Sequence, residues 1–293
     1  MHKMVGSLKL FLKGIVLGVS NVIPGVSGGT MAVVLNVYDK ILSLITINVK
    51  KIFSQWRFWI PLALGMIFGI LAFSRLITFL LAQFPIPTKF FFIGLILGSV
   101  PLLIKKIRKS IFDEHSQSNE KTHSPLFFVS LAFFFLLGLF LVLSMLFFGA
   151  DENAKEAAKS VATPSSLSLQ NATPLFLAGM AAAIAMIIPG VSGSFLLLAL
   201  GLYGNIMNAI SRLDALYLSP FALGVLLGII LGSALVRLLL KKASSQTYAA
   251  ILGLVTGSVA LIFPSSASFF EILVSIPFLL MGGCTAYFSS RNE

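Results

Sequence analysis

The sequence predicts an all-α polytopic membrane protein with two inverted-topology repeats, each a re-entrant broken-helix hairpin followed by three transmembrane helices. Three observations favour this fold class: the apolar composition, an internal duplication and the placement of the charged residues. Hydrophobic residues make up 57% of the 293 residues, charged residues 11%, and the mean hydropathy is +0.99. A water-soluble domain of this size carries far more polar surface, so the chain is expected in a membrane.

The duplication is centred on the pentapeptide Pro-Gly-Val-Ser-Gly, which stands at 24–28 and again at 189–193. Identical residues continue on both sides of it, first at an offset of 165 and then, after a difference in loop length, at 159. The aligned pairs include Phe11 and Phe176, Gly14 and Gly179, Leu35 and Leu200, Tyr38 and Tyr203, Gly65 and Gly224, Gly94 and Gly253, and Gly98 and Gly257. The two halves are therefore copies of one unit.

Each repeat has three apolar stretches close to the length of about 20 residues that crosses a membrane as a helix. We expect these spans at 58–82, 88–104 and 125–148 in the first repeat, residues 1–148, and at 220–240, 247–263 and 269–288 in the second, residues 175–293. An external linker, 149–174, joins the repeats. The remaining apolar segments, 10–36 and 175–202, contain the repeated motif and are predicted to be re-entrant hairpins.

Charge placement favours the re-entrant interpretation. Lysines stand on both sides of the first motif segment, at Lys9 and Lys13 before the break and at Lys40 and Lys50 after it. Because cytoplasmic loops are enriched in Lys and Arg, both ends of this segment are expected in the cytoplasm, with the turn buried in protein. If the motif segments crossed the membrane completely, each half would have four spans and the repeats would be parallel.

The loop 105–124, which contains Lys105, Lys106 and Arg108, is expected in the cytoplasm, and this places 149–174 outside and both termini inside. An odd number of spans then separates the motif copies, so the repeats are inverted. Inverted repeats with broken helices near the midplane are typical of transporters. The net charge of +11 reflects this topology and does not indicate nucleic-acid binding.

The motif interrupts a helix inside an apolar run, because proline lacks an N–H and glycine adopts conformations closed to other residues. The half-helix after each break directs N-terminal N–H groups into the protein, and these attract anions, phosphate above all. Hydroxyl groups in the motifs supply further donors, at Ser27, Thr30, Ser192 and Ser194. Paired breaks therefore predict an anion site; a purely structural kink is the alternative.

Gly25–Gly29 also fits the G-x-S-x-G pattern of serine hydrolases. A general base is missing, since the histidines, at positions 2, 115 and 123, lie outside the apolar segments. The motif does not match the Walker A pattern either, because no lysine follows the glycines. With one cysteine, Cys284, and no histidine cluster, the sequence predicts neither a metal nor a cofactor.

Two arginines lie within predicted spans. Arg75 is in the outer part of its span, where topology does not require a cation, and an intramembrane arginine is by default a functional candidate. Snorkelling to the headgroups or pairing with a carbonyl is the alternative. Arg237 is followed by Lys241 and Lys242, so cytoplasmic anchoring is the competing explanation there. Inversion would put the two arginines in opposite leaflets, one to receive an anion and one to release it.

Residues Asn21–Thr30 and their partner Ile187–Ser194 resemble the paired motif of the bacterial PopT-type family, and the resemblance extends over nearly the whole chain. It implies a multi-pass translocase of the bacterial cytoplasmic (inner) membrane. Such a carrier returns undecaprenyl phosphate from the outer to the inner leaflet for reuse in peptidoglycan and other envelope polymers. The predicted phosphate-binding residues are Asn21, Pro24, Gly25, Val26, Ser27, Gly28, Gly29, Thr30, Pro189, Gly190, Val191, Ser192, Gly193, Ser194, Arg75 and Arg237.

The leading hypothesis is a transporter, not an enzyme, that works by alternating access and has undecaprenyl phosphate and membrane lipids as partners. A secondary transporter of a small soluble anion is the main alternative; an intramembrane lipid-phosphate hydrolase and a scaffold are less favoured. The coupling ion, proton or sodium, stays open because no buried carboxylate is evident. Glycine pairs such as Gly94 and Gly98 suit internal helix packing and also a homodimer.

Overall fold

The computed structural model describes residues 2–22, 27–45, 49–117, 125–149, 169–191, 193, 196–197, 200–212, 214–264 and 267–291, with no strand among them. The helices of the first half are α1 (His2–Val22), α2 (Gly28–Val34), α3 (Tyr38–Leu44), α4 (Val49–Ser54), α5 (Trp56–Gln83), α6 (Pro85–Gln117) and α7 (Pro125–Gly149). Those of the second half are α8 (Leu169–Ile187), α9 (Tyr203–Ser211), α10 (Ala215–Lys242), α11 (Ser244–Ile262) and α12 (Phe269–Arg291).

Five helical stretches are long and apolar enough to cross a membrane: Pro85–Asp113, Pro125–Ser144, Ala215–Lys242, Ser244–Ile262 and Phe269–Phe288. Shorter apolar stretches lie in α5 and α8, at Trp56–Ala72 and Ala172–Ile187. The prediction of an all-α polytopic membrane protein is confirmed. Large apolar side chains cover the outside of these helices, for example Leu71 at 73% exposure and Phe269 at 82%, as expected for a surface that faces lipid.

Some predicted boundaries differ from the helices. Helix α6 continues to Gln117, well past the predicted end of its span at 104, because the basic stretch that follows is itself a good helix former. The predicted linker 149–174 overlaps the start of α8, which begins at Leu169. Three short helices, α3, α4 and α9, lie in stretches that we had not assigned to any span.

Helices α1 and α5 pack along a glycine seam. A Cβ atom at Gly65 would lie 2.1 Å from the carbonyl oxygen of Phe11, so no larger residue fits there. The same contact recurs between α8 and α10, where a Cβ atom at Gly224 would lie 2.0 Å from the carbonyl oxygen of Phe176. These four residues are aligned pairs of the duplication. Equivalent sequence therefore makes equivalent packing, and the glycines act as close-packing residues.

Two further seams join the halves to each other. A Cβ atom at Gly94 in α6 would lie 2.0 Å from the carbonyl oxygen of Leu279 in α12. One at Gly253 in α11 would lie 2.0 Å from the carbonyl oxygen of Phe135 in α7. The glycines whose spacing also suited a homodimer thus pack against helices of the same chain. In each of these two seams, a helix of the first half packs against a helix of the second half.

Helices α6 and α11 are equivalent in the duplication and run antiparallel to each other. Ser245 Oγ, at the start of α11, donates to Ser110 Oγ near the end of α6 across 3.1 Å. Near the opposite end of the pair, the rings of Phe90 and Phe263 are 6.0 Å apart. These contacts fix the relative direction of the two helices.

The core lies around the short helix α2. Met31 and Val34 of α2 are 0% and 1% exposed and belong to the same apolar cluster as Ile96 of α6 and Val255 of α11. Helix α2 begins immediately after the first motif break. The fold therefore holds the motif at the centre of the molecule, between the two halves.

Candidate functional site

The first motif copy lies between α1 and α2. Helix α1 ends at Val22 and α2 begins at Gly28, with Ser27 in extended conformation before it and accepting the first bond of α2, from Met31 N to Ser27 O, at 3.1 Å. The predicted site residues Pro24, Gly25 and Val26 lie outside the described residues, as does the side chain of Asn21.

The depth of this break follows from the α1–α5 seam. A Cβ atom at Gly18 would lie 2.2 Å from the carbonyl oxygen of Met66, and the two helices run parallel. Val22, one turn further along α1, is therefore about 6 Å higher, at the level of Ile70. That level is the middle of α5, which runs from Trp56 to Gln83. The break thus stands half-way along a helix of transmembrane length.

The second copy follows α8, which ends at Ile187. Pro189 is buried, and Gly190 has a φ of +85°, the left-handed conformation that glycine adopts without strain. A Cβ atom at Gly190 would also lie 2.5 Å from the carbonyl oxygen of Leu254. Gly193 is helical, while Ser192 and Ser194 lie outside the described residues. The repeated glycine is therefore required by backbone geometry at this position.

The two motif copies contact each other directly. Ser27 Oγ donates to the carbonyl oxygen of Val191 across 3.2 Å, and the N–H of Gly190 donates to Thr30 Oγ1 across 2.7 Å. Gly29 lies against the end of α8, where a Cβ atom on it would be 3.2 Å from the carbonyl oxygen of Met186. Thr30 is 0% exposed. Two of the hydroxyls predicted to be ligand donors, those of Ser27 and Thr30, thus form hydrogen bonds between the copies in this conformation.

Helix α3 adds a contact that the sequence did not reveal. Tyr38 Oη donates to the carbonyl oxygen of Ile187, the last residue of α8, across 2.9 Å. Burial, with the Asp39 carboxylate beside it, raises the pKa of the Tyr38 phenol well above its usual value, so the hydroxyl remains a donor. The identity of Tyr38 and Tyr203 in the duplication was the available signal.

Arg237 of α10 binds the carboxyl end of α3. Its guanidinium donates to the carbonyl oxygens of Leu42 and Ile45, and Ser233 Oγ lies 3.4 Å from the Ile45 oxygen. These carbonyls are left without helical partners at a helix end, where a cation is favoured. Arg237 therefore has a defined partner in α3, in the other half of the chain. Arg75 lies in α5, and its side chain is outside the described part of the chain.

A polar cluster joins α3 to α6 and α11. Lys106 forms an ion pair with Asp39 Oδ2, and Tyr248 Oη donates to the same oxygen across 3.1 Å. The other carboxylate oxygen, Oδ1, is buried and has no hydrogen-bond partner. The Asp39 side chain as a whole is 42% exposed, so this carboxylate lies at the edge of the core with one oxygen directed inwards.

Two cavities lie against α1 and α2, the helices before and after the first motif. One, of about 380 Å³, reaches Gly28 and Gly29 and is otherwise walled mainly by apolar side chains of α1, α3, α5 and α8. The other, of about 740 Å³, lies between α1, α2, α5, α6 and α12 and has an almost wholly apolar lining. The centre of the molecule therefore combines two broken helices with space for apolar groups beside them.

Comparison with known proteins identifies the family of the chain. Residues 17–272 match the model of the undecaprenyl phosphate translocase-like family. A protein of Staphylococcus aureus (strain NCTC 8325 / PS 47), named polyprenyl-phosphate transporter, is 34% identical over 265 residues, which cover 86% of this chain and 85% of the relative. One of Vibrio cholerae serotype O1 (strain ATCC 39315 / El Tor Inaba N16961), with the same name, is 29% identical over 276 residues, covering 89% and 79%. No solved structure matches. The prediction of a transporter instead of an enzyme is confirmed.

Proposed function

Because the chain belongs to the undecaprenyl phosphate translocase-like family, we propose that it carries undecaprenyl phosphate from the outer to the inner leaflet of the bacterial inner membrane. The recovered lipid is then reused for peptidoglycan and other envelope polymers. The observation that carries this proposal is the direct contact of the two broken helices half-way along α5. A phosphate head needs such a polar point where it crosses the apolar interior.

The two halves act as inverted repeats that alternate access to this point. The antiparallel packing of the equivalent helices α6 and α11 supports inversion. Each motif segment is a re-entrant hairpin, and both termini are cytoplasmic. A parallel arrangement of four spans in each half would require α6 and α11 to run in the same direction.

In this mechanism, the contacts between the motif copies exchange for contacts with phosphate. The bonds from Ser27 to Val191 and from Gly190 to Thr30 open, which costs roughly 1 kcal/mol each as a net loss. Hydrogen bonds to a charged phosphate return roughly 1.5–3 kcal/mol each. The motif N–H groups and hydroxyls can therefore change partners at little net cost, which is what a transport intermediate requires.

The two arginines act at opposite ends of the phosphate path. Arg75 receives the phosphate on the outer side, and Arg237 positions α3, whose first residue, Tyr38, contacts the end of α8. Movement of α3 is thereby linked to the second motif. The coupling ion is a proton or sodium.

The apolar cavities favour a lipid substrate over a small soluble anion, because a free anion gains nothing from an apolar wall. Competition tests this. Transport of radiolabelled undecaprenyl phosphate by the reconstituted protein should be inhibited by other polyprenyl phosphates and unaffected by inorganic phosphate. Inhibition by inorganic phosphate at comparable concentration would support the soluble-anion carrier.

A further inference from the structure

The larger cavity has the composition of a hydrocarbon site. It measures about 740 Å³, within the usual range of about 300–1,000 Å³ for ligand pockets. It opens between the α1–α5 pair and the α6–α12 pair, and its walls carry aromatic and aliphatic side chains such as Val16, Leu80, Phe91 and Met281. Two hydroxyls in its lining are already bonded: Thr88 donates to the carbonyl oxygen of Phe84, just before α6, and Thr285 donates to that of Met281 in α12. The cavity therefore offers a ligand almost only apolar contact.

Among the described lining residues, Lys13 is the one with a charged side chain, and it lies at one end of the cavity. Helix α1 runs parallel to α5, α12 runs parallel to α6, and α5 and α6 form a hairpin around Phe84. Helices α1 and α12 are therefore antiparallel, so Lys13 and Thr285 share one end. Phe84 and Pro87 stand at the other. By the charge rule, the Lys13 end is the cytoplasmic one.

The opposite end carries the opposite charge. A smaller cavity of about 220 Å³ continues from Phe84 and Pro87 and is lined by Glu271. An anionic head is repelled by this carboxylate and attracted by Lys13. A lipid with a phosphate head fits the large cavity in one direction only, with its head towards Lys13 and its chain towards Phe84. This is the orientation of a lipid in the inner leaflet.

We infer that this cavity holds the isoprenoid chain of the transported polyprenyl phosphate, with the units nearest the phosphate at the Lys13 end. The inference rests on the proposed function and adds to it a chain-binding site distinct from the motifs. Lys13, which we had read only as a marker of topology, then also faces the substrate.

Filling the cavity tests this. Leu80→Trp places an indole in the cavity, and Leu71→Trp, on the lipid-facing side of the same helix, is the matched control. We expect Leu80→Trp to lower transport of undecaprenyl phosphate about tenfold or more, since apolar chain contacts are lost. Transport of farnesyl phosphate, whose short chain needs little of the cavity, should stay within about twofold of the wild type. The control should match the wild type with both lipids.

Equal transport of undecaprenyl phosphate by Leu80→Trp and the wild type would overturn the inference, as would equal loss with both lipids in a folded variant. Photo-crosslinking of the wild-type protein gives a second test, which does not depend on the folding of a variant. A polyprenyl phosphate with a diazirine in its chain should label α1, α6 and α12 at the cavity. The inference would be contradicted by labelling confined to the outer face of α7. It would also be contradicted if a photoactivatable phospholipid labelled the cavity and undecaprenyl phosphate failed to displace it. Cavity labelling in a protein that moves no undecaprenyl phosphate would uphold the chain site and refute the proposed function.

Discussion

Replacing Thr30 by valine tests the contact between the motif copies. Valine keeps the shape of threonine but removes the oxygen that accepts the Gly190 N–H at 2.7 Å. Thr30 is 0% exposed, so the N–H loses its partner where water cannot replace it. The resting contact between the copies is therefore weakened. The hydroxyl is also lost to the phosphate, and a hydrogen bond to a charged group is worth about 1.5–3 kcal/mol. We expect this second loss to lower transport by about 10- to 150-fold, since each 1.4 kcal/mol is about a factor of ten.

Thr30→Ser is the matched control. Serine keeps the hydroxyl and loses one methyl group, worth roughly 0.8 kcal/mol, so transport should fall by no more than about fivefold. The assay is initial-rate transport of undecaprenyl phosphate in proteoliposomes, at matched protein content and with thermal unfolding in detergent as a check on folding. The reasoning is refuted if Thr30→Val transports as well as Thr30→Ser while both remain folded.

Three further predictions concern the elements around the motifs. Arg237→Gln should lower both the unfolding temperature and transport, because the carboxyl end of α3 loses charge-assisted bonds worth about 1.5–3 kcal/mol each. Arg237→Lys should recover part of both. An Arg237→Gln variant with unchanged unfolding temperature and transport would contradict the capping role. The charge exchange Asp39→Lys with Lys106→Asp should restore more transport than either single variant has, because it re-forms the ion pair between α3 and α6. A double variant no more active than the single ones would contradict a role for this pair. Gly94→Leu should prevent accumulation of folded protein in the membrane, because the side chain would clash with the backbone of α12. Gly6→Leu should be tolerated, since a Cβ atom there meets nothing within 4 Å. A normal yield of Gly94→Leu would refute the close packing of α6 against α12.

Hydropathy and the duplication were sufficient to predict a helical membrane protein with two related halves. Glycine spacing predicted close packing, because a missing side chain at i and i+4 marks a helix face that meets another backbone. The repeated breaks predicted two helix ends near the midplane, but the sequence did not predict that Ser27 donates to Val191.

The roles of individual polar groups were harder to predict. Whether Thr30 accepts from Gly190 or faces a ligand depends on the distance between the copies, which no local pattern encodes. Arg237 was ambiguous because a cation near Lys241 has a topological explanation in any sequence. Asp39 looked like a loop residue because α3, only seven residues long, has too few residues for an amphipathic pattern to be recognised.

The apolar cavity could not be predicted at all. Its walls come from five helices, and every one of its apolar side chains is equally explained by exposure to lipid. Only the assembled structure distinguishes a side chain that faces the bilayer from one that faces a space inside the protein.

Leaflet-resolved measurement of undecaprenyl phosphate in proteoliposomes tests the central claim most directly. The wild-type protein should redistribute the lipid between leaflets much faster than protein-free vesicles do, and Arg75→Ala should remove that acceleration while leaving insertion and folding intact. No acceleration by the wild-type protein under any proton or sodium gradient would contradict lipid translocation and favour a carrier of a soluble anion.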